Sequence, residues 1–188
     1  MPDGTQIGRN ASAGLFTAPN LITFGRLCAV PLAFWLVVEH RLALAFYLFV
    51  LAGLSDAVDG WLARRYGGNS IGALLDPVAD KALLVTMYVT LAVVRELPDW
   101  LAILVVFRDL LIVGGVIVLG VLGQHVVIRP LYVSKLNTVL QIVLIAATLF
   151  LAGFDLVAPI LITILVWVVA VSTLISGAAY VWVAAHGR

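Results

Sequence analysis

Long apolar runs alternate with short polar segments along the chain, and each run is long enough to form a helix. About 20 apolar residues suffice for one helix to cross a membrane. The polar segments contain Gly, Pro, Asn and Asp, which favour turns. The pattern therefore predicts six helical spans, at about residues 21–38, 42–63, 72–94, 100–122, 133–151 and 157–184.

Composition agrees with this pattern. Hydrophobic residues make up 63% of the 188 residues and charged residues 11%, whereas soluble domains average roughly 45–50% and about 25%. We therefore expect an all-α integral membrane protein, with a short tail at residues 1–18 and one six-span domain at residues 19–188. The net charge of +1 provides no basic field for nucleic acid. The single cysteine, Cys28, excludes an intrachain disulfide.

Basic residues are distributed unevenly between the two predicted sides of the membrane. With six spans, both termini share one side with the loops near residues 64–70 and 123–132. The basic residues on that side are Arg9, Arg64, Arg65, Arg129, Lys135 and Arg188. The other side has Arg41 and Arg95 among acidic residues. Because cytoplasmic loops are rich in Lys and Arg, we expect both termini in the cytoplasm.

Four aspartates interrupt the second and third predicted spans: Asp56, Asp59, Asp76 and Asp80. An ionised carboxylate at membrane depth is costly, and its presence there indicates a functional site. Asp56 and Asp59 are spaced i, i+3 and Asp76 and Asp80 i, i+4, so each pair shares one helix face. Two adjacent antiparallel helices could place all four around a polar cavity just below the cytoplasmic surface.

Neighbouring carboxylates repel one another unless protons or cations neutralise them. Oxygen ligands favour Mg²⁺ or Mn²⁺, and such sites leave room for substrate phosphates. The cluster therefore predicts a metal-assisted phosphate site with two ions. Two other interpretations stay open on this pattern: interhelical ion pairing, and the carboxylate path of a small cation or proton transporter.

Residues 56–80 resemble the signature of the CDP-alcohol phosphotransferases, D-x-x-D-G-x-x-A-R followed by G-x-x-x-D-x-x-x-D. Every fixed position matches, with seven residues between the two halves. The resemblance implies a six-span membrane enzyme, usually a homodimer. Such an enzyme transfers a phosphatidyl group from CDP-diacylglycerol to a phosphate-bearing alcohol or lipid and releases CMP.

The resemblance also implies roles for individual residues. Asp56, Asp59, Asp76 and Asp80 would hold the two divalent ions. Asp80 would also be the base that deprotonates the acceptor hydroxyl. The residues expected to line the donor pocket are Asp56, Gly60, Ala63, Arg64 and Gly72.

Two later segments bear on the acceptor. The Arg108-Asp109 pair and the Ser134-Lys135 segment with Asn137 resemble family members that form cardiolipin from phosphatidylglycerol. Members that use glycerol 3-phosphate more often have Arg-Glu and a lysine at the position of Asn137. We therefore expect phosphatidylglycerol as the acceptor, with glycerol 3-phosphate as the alternative.

Cations within the spans are candidates for binding the acceptor phosphate. Arg108 and Lys135 are the two that we expect to do so. Arg108 could instead form a structural pair with Asp109, and either side chain could extend toward the interface. For Arg26, phosphate contact and extension toward the interface stay equally open.

The first eighteen residues lack the basic start and apolar stretch of a signal peptide and the Arg-rich composition of an organelle presequence. We therefore expect a bacterial inner membrane, with the active site facing the cytoplasm.

Overall fold

The structure, a computed structural model, describes the backbone of residues 18–66, 72–121 and 132–186 and the side chains of residues 25, 27–55, 80–115 and 132–182. The described backbone forms six α-helices and contains no strand. In chain order they are α1 (Ala18–Val38), α2 (Leu42–Tyr66), α3 (Gly72–Val93), α4 (Asp99–Val121), α5 (Tyr132–Gly153) and α6 (Pro159–His186).

Each helix coincides with one predicted apolar run, which confirms the all-helical prediction, and the differences lie at helix ends. α1 begins at Ala18 and includes Pro19, because a proline in the first turn sacrifices no helical hydrogen bond. α6 begins at Pro159 rather than at residue 157, since the fixed φ of proline suits the first helical position. α2 continues past Ala63 to Tyr66 because arginine is a good helix former.

The helices form a ring in which each packs against two neighbours, in the order α1, α2, α5, α6, α4 and α3. α3 also contacts α5 across the ring. Over their described residues α2 and α3 do not pack directly on each other, and a cleft lined by both of them and by α5 lies between them. The predicted clustering of the four aspartates involves three side chains outside those described and stays a prediction.

The interior of the ring is mainly apolar. Tyr88 and Leu91 of α3 and Leu144 of α5 are fully buried in one cluster. Because lipid tails are as apolar as these side chains, close packing contributes more than the hydrophobic effect to holding the helices together. α5 and α2 approach each other closely at Gly153, where an added Cβ would lie 2.5 Å from the backbone nitrogen of Ala43.

Three short turns connect the helices at one end of the ring: α1 to α2, α3 to α4, and α5 to α6. Each turn contains one residue with positive φ: His40 (54°), Arg95 (68°) and Asp155 (55°). The amide that follows each of these donates a hydrogen bond to the carbonyl five residues earlier, at 2.8 to 2.9 Å. This is the Schellman arrangement, which satisfies helix carbonyls and ends the helix.

The outer surface of the ring is apolar. Leu51 on α2, Ile103 on α4 and Ile160 on α6 are examples of large exposed side chains that occur on all six helices. Soluble monomers rarely expose so much contiguous apolar surface. Among the described residues, α5 and the Pro159–Trp182 part of α6 are long and apolar enough to cross a membrane. Both features support a membrane protein, while six spans and the side of the termini stay predictions.

Candidate functional site

The four predicted metal ligands lie on α2 and α3. Asp56 and Asp59 belong to the second half of α2, and Asp76 and Asp80 to the first half of α3. Of the four, Asp80 is the one whose side chain the structure describes. The predicted residues whose side chains lie outside the described part are Arg26, Asp56, Asp59, Gly60, Ala63, Arg64, Gly72 and Asp76.

Asp80 is half-buried and lines the cleft between α2, α3 and α5, which has a volume of about 440 Å³. The residues that line it are Phe49, Val50, Ala52, Gly53, Leu54, Asp80, Leu83, Leu84, Thr138, Ile142 and Ala146. Thr138 is the other polar lining residue, and its hydroxyl donates to the Ser134 carbonyl of its own helix at 3.1 Å. The cleft therefore presents one carboxylate on mainly apolar walls. Such a cleft suits a ligand that has a long apolar part and a polar group.

A buried ion network lies beside this cleft. The carboxylate of Asp109 on α4 accepts hydrogen bonds from Lys81 Nζ on α3 and from Arg108 Nη1, both at 2.7 Å. Lys81 directly follows Asp80 in the sequence. Pairing with two cations compensates the cost of placing the Asp109 carboxylate inside the helix bundle.

Arg108 is enclosed by three helices. Its Nη2 donates to the Ser134 hydroxyl of α5 at 2.7 Å and to the Ser176 hydroxyl of α6, and its guanidinium lies 5.9 Å from the centre of the Tyr180 ring. Arg108 is buried, with 4% of the residue exposed. Its contact with Asp109 is the structural pair that the sequence left open. No described group pairs with its Nε atom, and its predicted contact with an acceptor phosphate stays a prediction.

Lys135 differs from Arg108 in its burial and in its ion pairing. It lies in the first turn of α5, is exposed, and forms no ion pair with any residue whose side chain the structure describes. Ser134, which precedes Lys135 on α5, bonds Arg108 of α4, but these two helices do not pack directly on each other over their described residues. The two predicted phosphate ligands therefore lie in different surroundings. Their joint action on one phosphate therefore also stays a prediction.

Asn137 faces another helix instead of the cleft. It is fully buried, and its Oδ1 accepts hydrogen bonds from Ser172 at 2.7 Å and Thr173 at 2.9 Å, both on α6. One turn further along α5, Gln141 is also fully buried, and its backbone carbonyl accepts a 3.3 Å bond from the Tyr88 hydroxyl of α3. The side-chain polar atoms of Gln141 have no described partner.

These helix-to-helix polar residues were not recognised in the sequence as a structural group. The signal was available: Ser134, Asn137 and Gln141 follow one another at intervals of three and four residues within an apolar helix. Polar side chains on one face of a membrane helix typically bond to a neighbouring helix. Which helix supplies the partners cannot be read from that spacing.

Comparison with known proteins identifies a family and several relatives that match most of this chain. Residues 16–185 match the model of the family described as CDP-alcohol phosphatidyltransferase. The chain is 36% identical over 181 residues to CDP-diacylglycerol–glycerol-3-phosphate 3-phosphatidyltransferase 1, chloroplastic, of Oryza sativa subsp. japonica, an alignment covering 86% of this chain and 55% of that protein. It is 29% identical over 198 residues to cardiolipin synthase (CMP-forming) of Homo sapiens, covering 94% of this chain and 66% of that protein.

A bacterial relative matches along nearly its whole length. It is the CDP-diacylglycerol–glycerol-3-phosphate 3-phosphatidyltransferase of Rickettsia bellii, 30% identical over 174 residues, with 86% of this chain and 92% of that protein covered. The chain thus spans about half to two thirds of the plant and human relatives and most of the bacterial one. On the extent of the family match and these identities, the chain belongs to the CDP-alcohol phosphatidyltransferase family.

Proposed function

We propose that this protein transfers a phosphatidyl group from CDP-diacylglycerol to phosphatidylglycerol, forming cardiolipin and CMP. The observation that carries the proposal is the complete aspartate motif on α2 and α3, with Asp80 on the wall of an apolar cleft. Family membership supports phosphatidyl transfer, and the names of the relatives include both cardiolipin synthase and glycerol-3-phosphate phosphatidyltransferase.

The motif residues fit a divalent metal because the donor set consists of carboxylate oxygens, the ligands that Mg²⁺ and Mn²⁺ prefer. Asp56, Asp59, Asp76 and Asp80 would hold two such ions, which when bound would neutralise charge on the donor diphosphate. The donor would lie along Gly60, Ala63, Arg64 and Gly72. Small residues there allow a ligand close to the helix backbone, and the arginine contacts phosphate oxygens.

Asp80 is the proposed catalytic base. It takes the proton from the acceptor hydroxyl, and the oxygen then forms a bond to the lipid-side phosphorus of the donor. The bond from this phosphorus to the bridging oxygen breaks, and CMP leaves with that oxygen and its electron pair. The mainly apolar walls of the cleft around the base favour the hydroxyl of a lipid over water as the group that it deprotonates.

A lipid acceptor is favoured by the surroundings of Asp80. The cleft walls that lead to its carboxylate are apolar, as expected for an acceptor that brings its own acyl chains. Asn137 and Asp109 do not support phosphatidylglycerol as the acceptor through direct contact with it. Asn137 accepts hydrogen bonds from α6, and Asp109 accepts them from Lys81 and Arg108. Glycerol 3-phosphate is the second candidate acceptor, favoured by the names of the rice and Rickettsia relatives.

We further propose six membrane spans in a bacterial inner membrane, with both termini and the active site on the cytoplasmic side. The excess of basic residues on that side supports the orientation. A homodimer, in keeping with the family resemblance, is also part of the proposal.

A small cation or proton transporter is the competing function from a different class. The two are distinguished by assaying purified protein in micelles with CDP-diacylglycerol, phosphatidylglycerol and Mg²⁺, and by measuring CMP. The proposal expects CMP release that EDTA abolishes and excess Mg²⁺ restores. No CMP from active-site-intact protein, combined with cation or proton flux in proteoliposomes without any CDP-lipid, would favour the transporter.

A further inference from the structure

The Asp109 ion network connects the active-site region to the rest of the ring. Asp109 is buried and accepts one hydrogen bond from α3, through Lys81, and one from Arg108 of its own helix. Arg108 in turn bonds Ser134 of α5 and Ser176 of α6. Four helices are therefore joined through polar contacts at the level of α3 where Asp80 lies.

The direction of Lys81 and the direction of Asp80 are geometrically linked. Consecutive residues of an α-helix point about 100° apart around its axis. With Lys81 directed at Asp109 on α4, Asp80 is directed into the cleft formed with α2 and α5. A rotation of this turn of α3 would move both side chains together.

The ion pair is what holds Lys81 in place. The Lys81 side chain is 38% exposed, whereas that of Asp109 is 9% exposed, so burial alone does not fix the lysine rotamer. Lysine has a long flexible stem with many rotamers. The carboxylate of Asp109 is itself fixed by Arg108, which makes it a rigid anchor for the flexible partner.

We infer that Asp109 is a positioning residue for Asp80, acting through Lys81. The inference rests on the proposed function, in which Asp80 is the base. Asp109 touches neither substrate in this account. It sets the rotation of the α3 turn, so that the Asp80 carboxylate lies where the acceptor hydroxyl arrives.

The first test is a double-mutant cycle on CMP release with Asp109→Asn, Lys81→Met and the double variant. Each single change should lower kcat about tenfold or more, because small misplacements of a catalytic group are costly. The KM for CDP-diacylglycerol should change by less than about twofold, because neither substitution removes a group that is proposed to bind the donor. The kcat of the double variant should be no lower than that of the slower single variant. Two residues that act through one contact lose that contact only once.

A matched control is Asp99→Asn, which removes the exposed Arg95–Asp99 pair (3.4 Å) at the first residue of α4. It should leave kcat unchanged. Wild-type kcat in Lys81→Met together with a slow Asp109→Asn would overturn the inference, because Asp109 would then act through Arg108 alone. Additive losses in the double variant would overturn it as well.

The second test needs no enzymatic activity. The chain contains two lysines, Lys81 and Lys135, so their acylation by a water-soluble amine reagent can be followed by peptide mass spectrometry. Lys81 should react more slowly than the exposed Lys135 in the wild type, and should approach its rate in Asp109→Asn but not in Asp99→Asn. An unchanged Lys81 rate in Asp109→Asn would overturn the inference.

The two tests separate this inference from the proposed function. If the wild type releases no CMP with any acceptor, the proposed function fails, while the labelling still decides whether Asp109 holds Lys81. If Asp109→Asn does not fold, Lys81→Met retains the Asp109–Arg108 pair and carries the kinetic test. The Lys81 to Lys135 labelling ratio of the wild type then carries the structural test, and equal rates would contradict the inference.

Discussion

The Asn137 side chain of α5 is fully buried and accepts a 2.7 Å hydrogen bond from the Ser172 hydroxyl of α6. The residue whose chemistry suggested the acceptor from the sequence is therefore a contact between two helices. Its effect on acceptor choice, if the family difference at this position is causal, has to act through the packing of α5 on α6.

Asn137→Lys should destabilise the protein rather than change its acceptor. The variant buries an ammonium group among hydroxyls, at a cost of about 2.5–3.5 kcal/mol for a lysine at membrane depth. The free energy of unfolding, measured by SDS titration in mixed micelles, should fall by that amount. Leu136→Lys is the control, because residue 136 is exposed beside Lys135 and a lysine there can extend to the interface. A folded Asn137→Lys that prefers glycerol 3-phosphate would contradict this expectation.

Asp80→Asn should abolish CMP release while the protein stays folded. Loss of a general base lowers rates by about 10²–10⁴, and asparagine preserves the size of the side chain. Binding of Mn²⁺ in the absence of substrate, measured by calorimetry, should largely persist because Asp56, Asp59 and Asp76 are unchanged. Asp99→Asn should behave as wild type. Retained transfer in Asp80→Asn would refute the role of Asp80 as the base.

Gly53→Leu should narrow the cleft that leads to Asp80. No atom lies within 4 Å of a Cβ built on Gly53, so the leucine can extend into the space without displacing the backbone. The KM for the lipid substrates should rise about tenfold, as expected when methylene groups occupy an apolar binding site. Gly115→Leu, at an equally open position outside the cleft, should leave the KM unchanged. Equal KM values for the two variants would show that lipids do not use this cleft.

Gly153→Ala should weaken the contact between α5 and α2. The new methyl group would meet backbone atoms of Ala43 at 2.5 and 2.7 Å, and such overpacking costs about 1–3 kcal/mol. SDS titration should report this loss. Gly114→Ala, where a Cβ meets nothing within 4 Å, should be neutral or more stable by up to about 1 kcal/mol because alanine favours helix. Equal stability of both variants would contradict the observed helix approach.

The helices could be predicted from the sequence because apolar runs and turn residues are local signals. α4, predicted at residues 100–122, spans Asp99–Val121. The ends were less accurate where a residue is compatible with both helix and turn, as at Pro19, which lies inside α1. Local propensity alone does not decide such positions.

The order of the helices around the ring could not be predicted in the same way. Spacing on α2 and α3 indicated which aspartates share a face. It did not indicate that a cleft also lined by α5 lies between the described parts of these two helices. The Arg108–Asp109 pair was foreseen as an alternative because the two residues are adjacent. Lys81, 28 residues before Asp109, and Ser176, 68 residues after Arg108, were not foreseen as partners because such contacts depend on helix packing.

The central claim is transfer to phosphatidylglycerol, and a competition assay tests it most directly. Purified protein would receive CDP-diacylglycerol, Mg²⁺ and equal concentrations of phosphatidylglycerol and glycerol 3-phosphate, with the lipid products identified by mass spectrometry. We expect cardiolipin as the main product, formed in step with CMP and absent in Asp80→Asn. Phosphatidylglycerophosphate as the main product would contradict the proposed acceptor and assign the protein to the glycerol 3-phosphate branch of the same family.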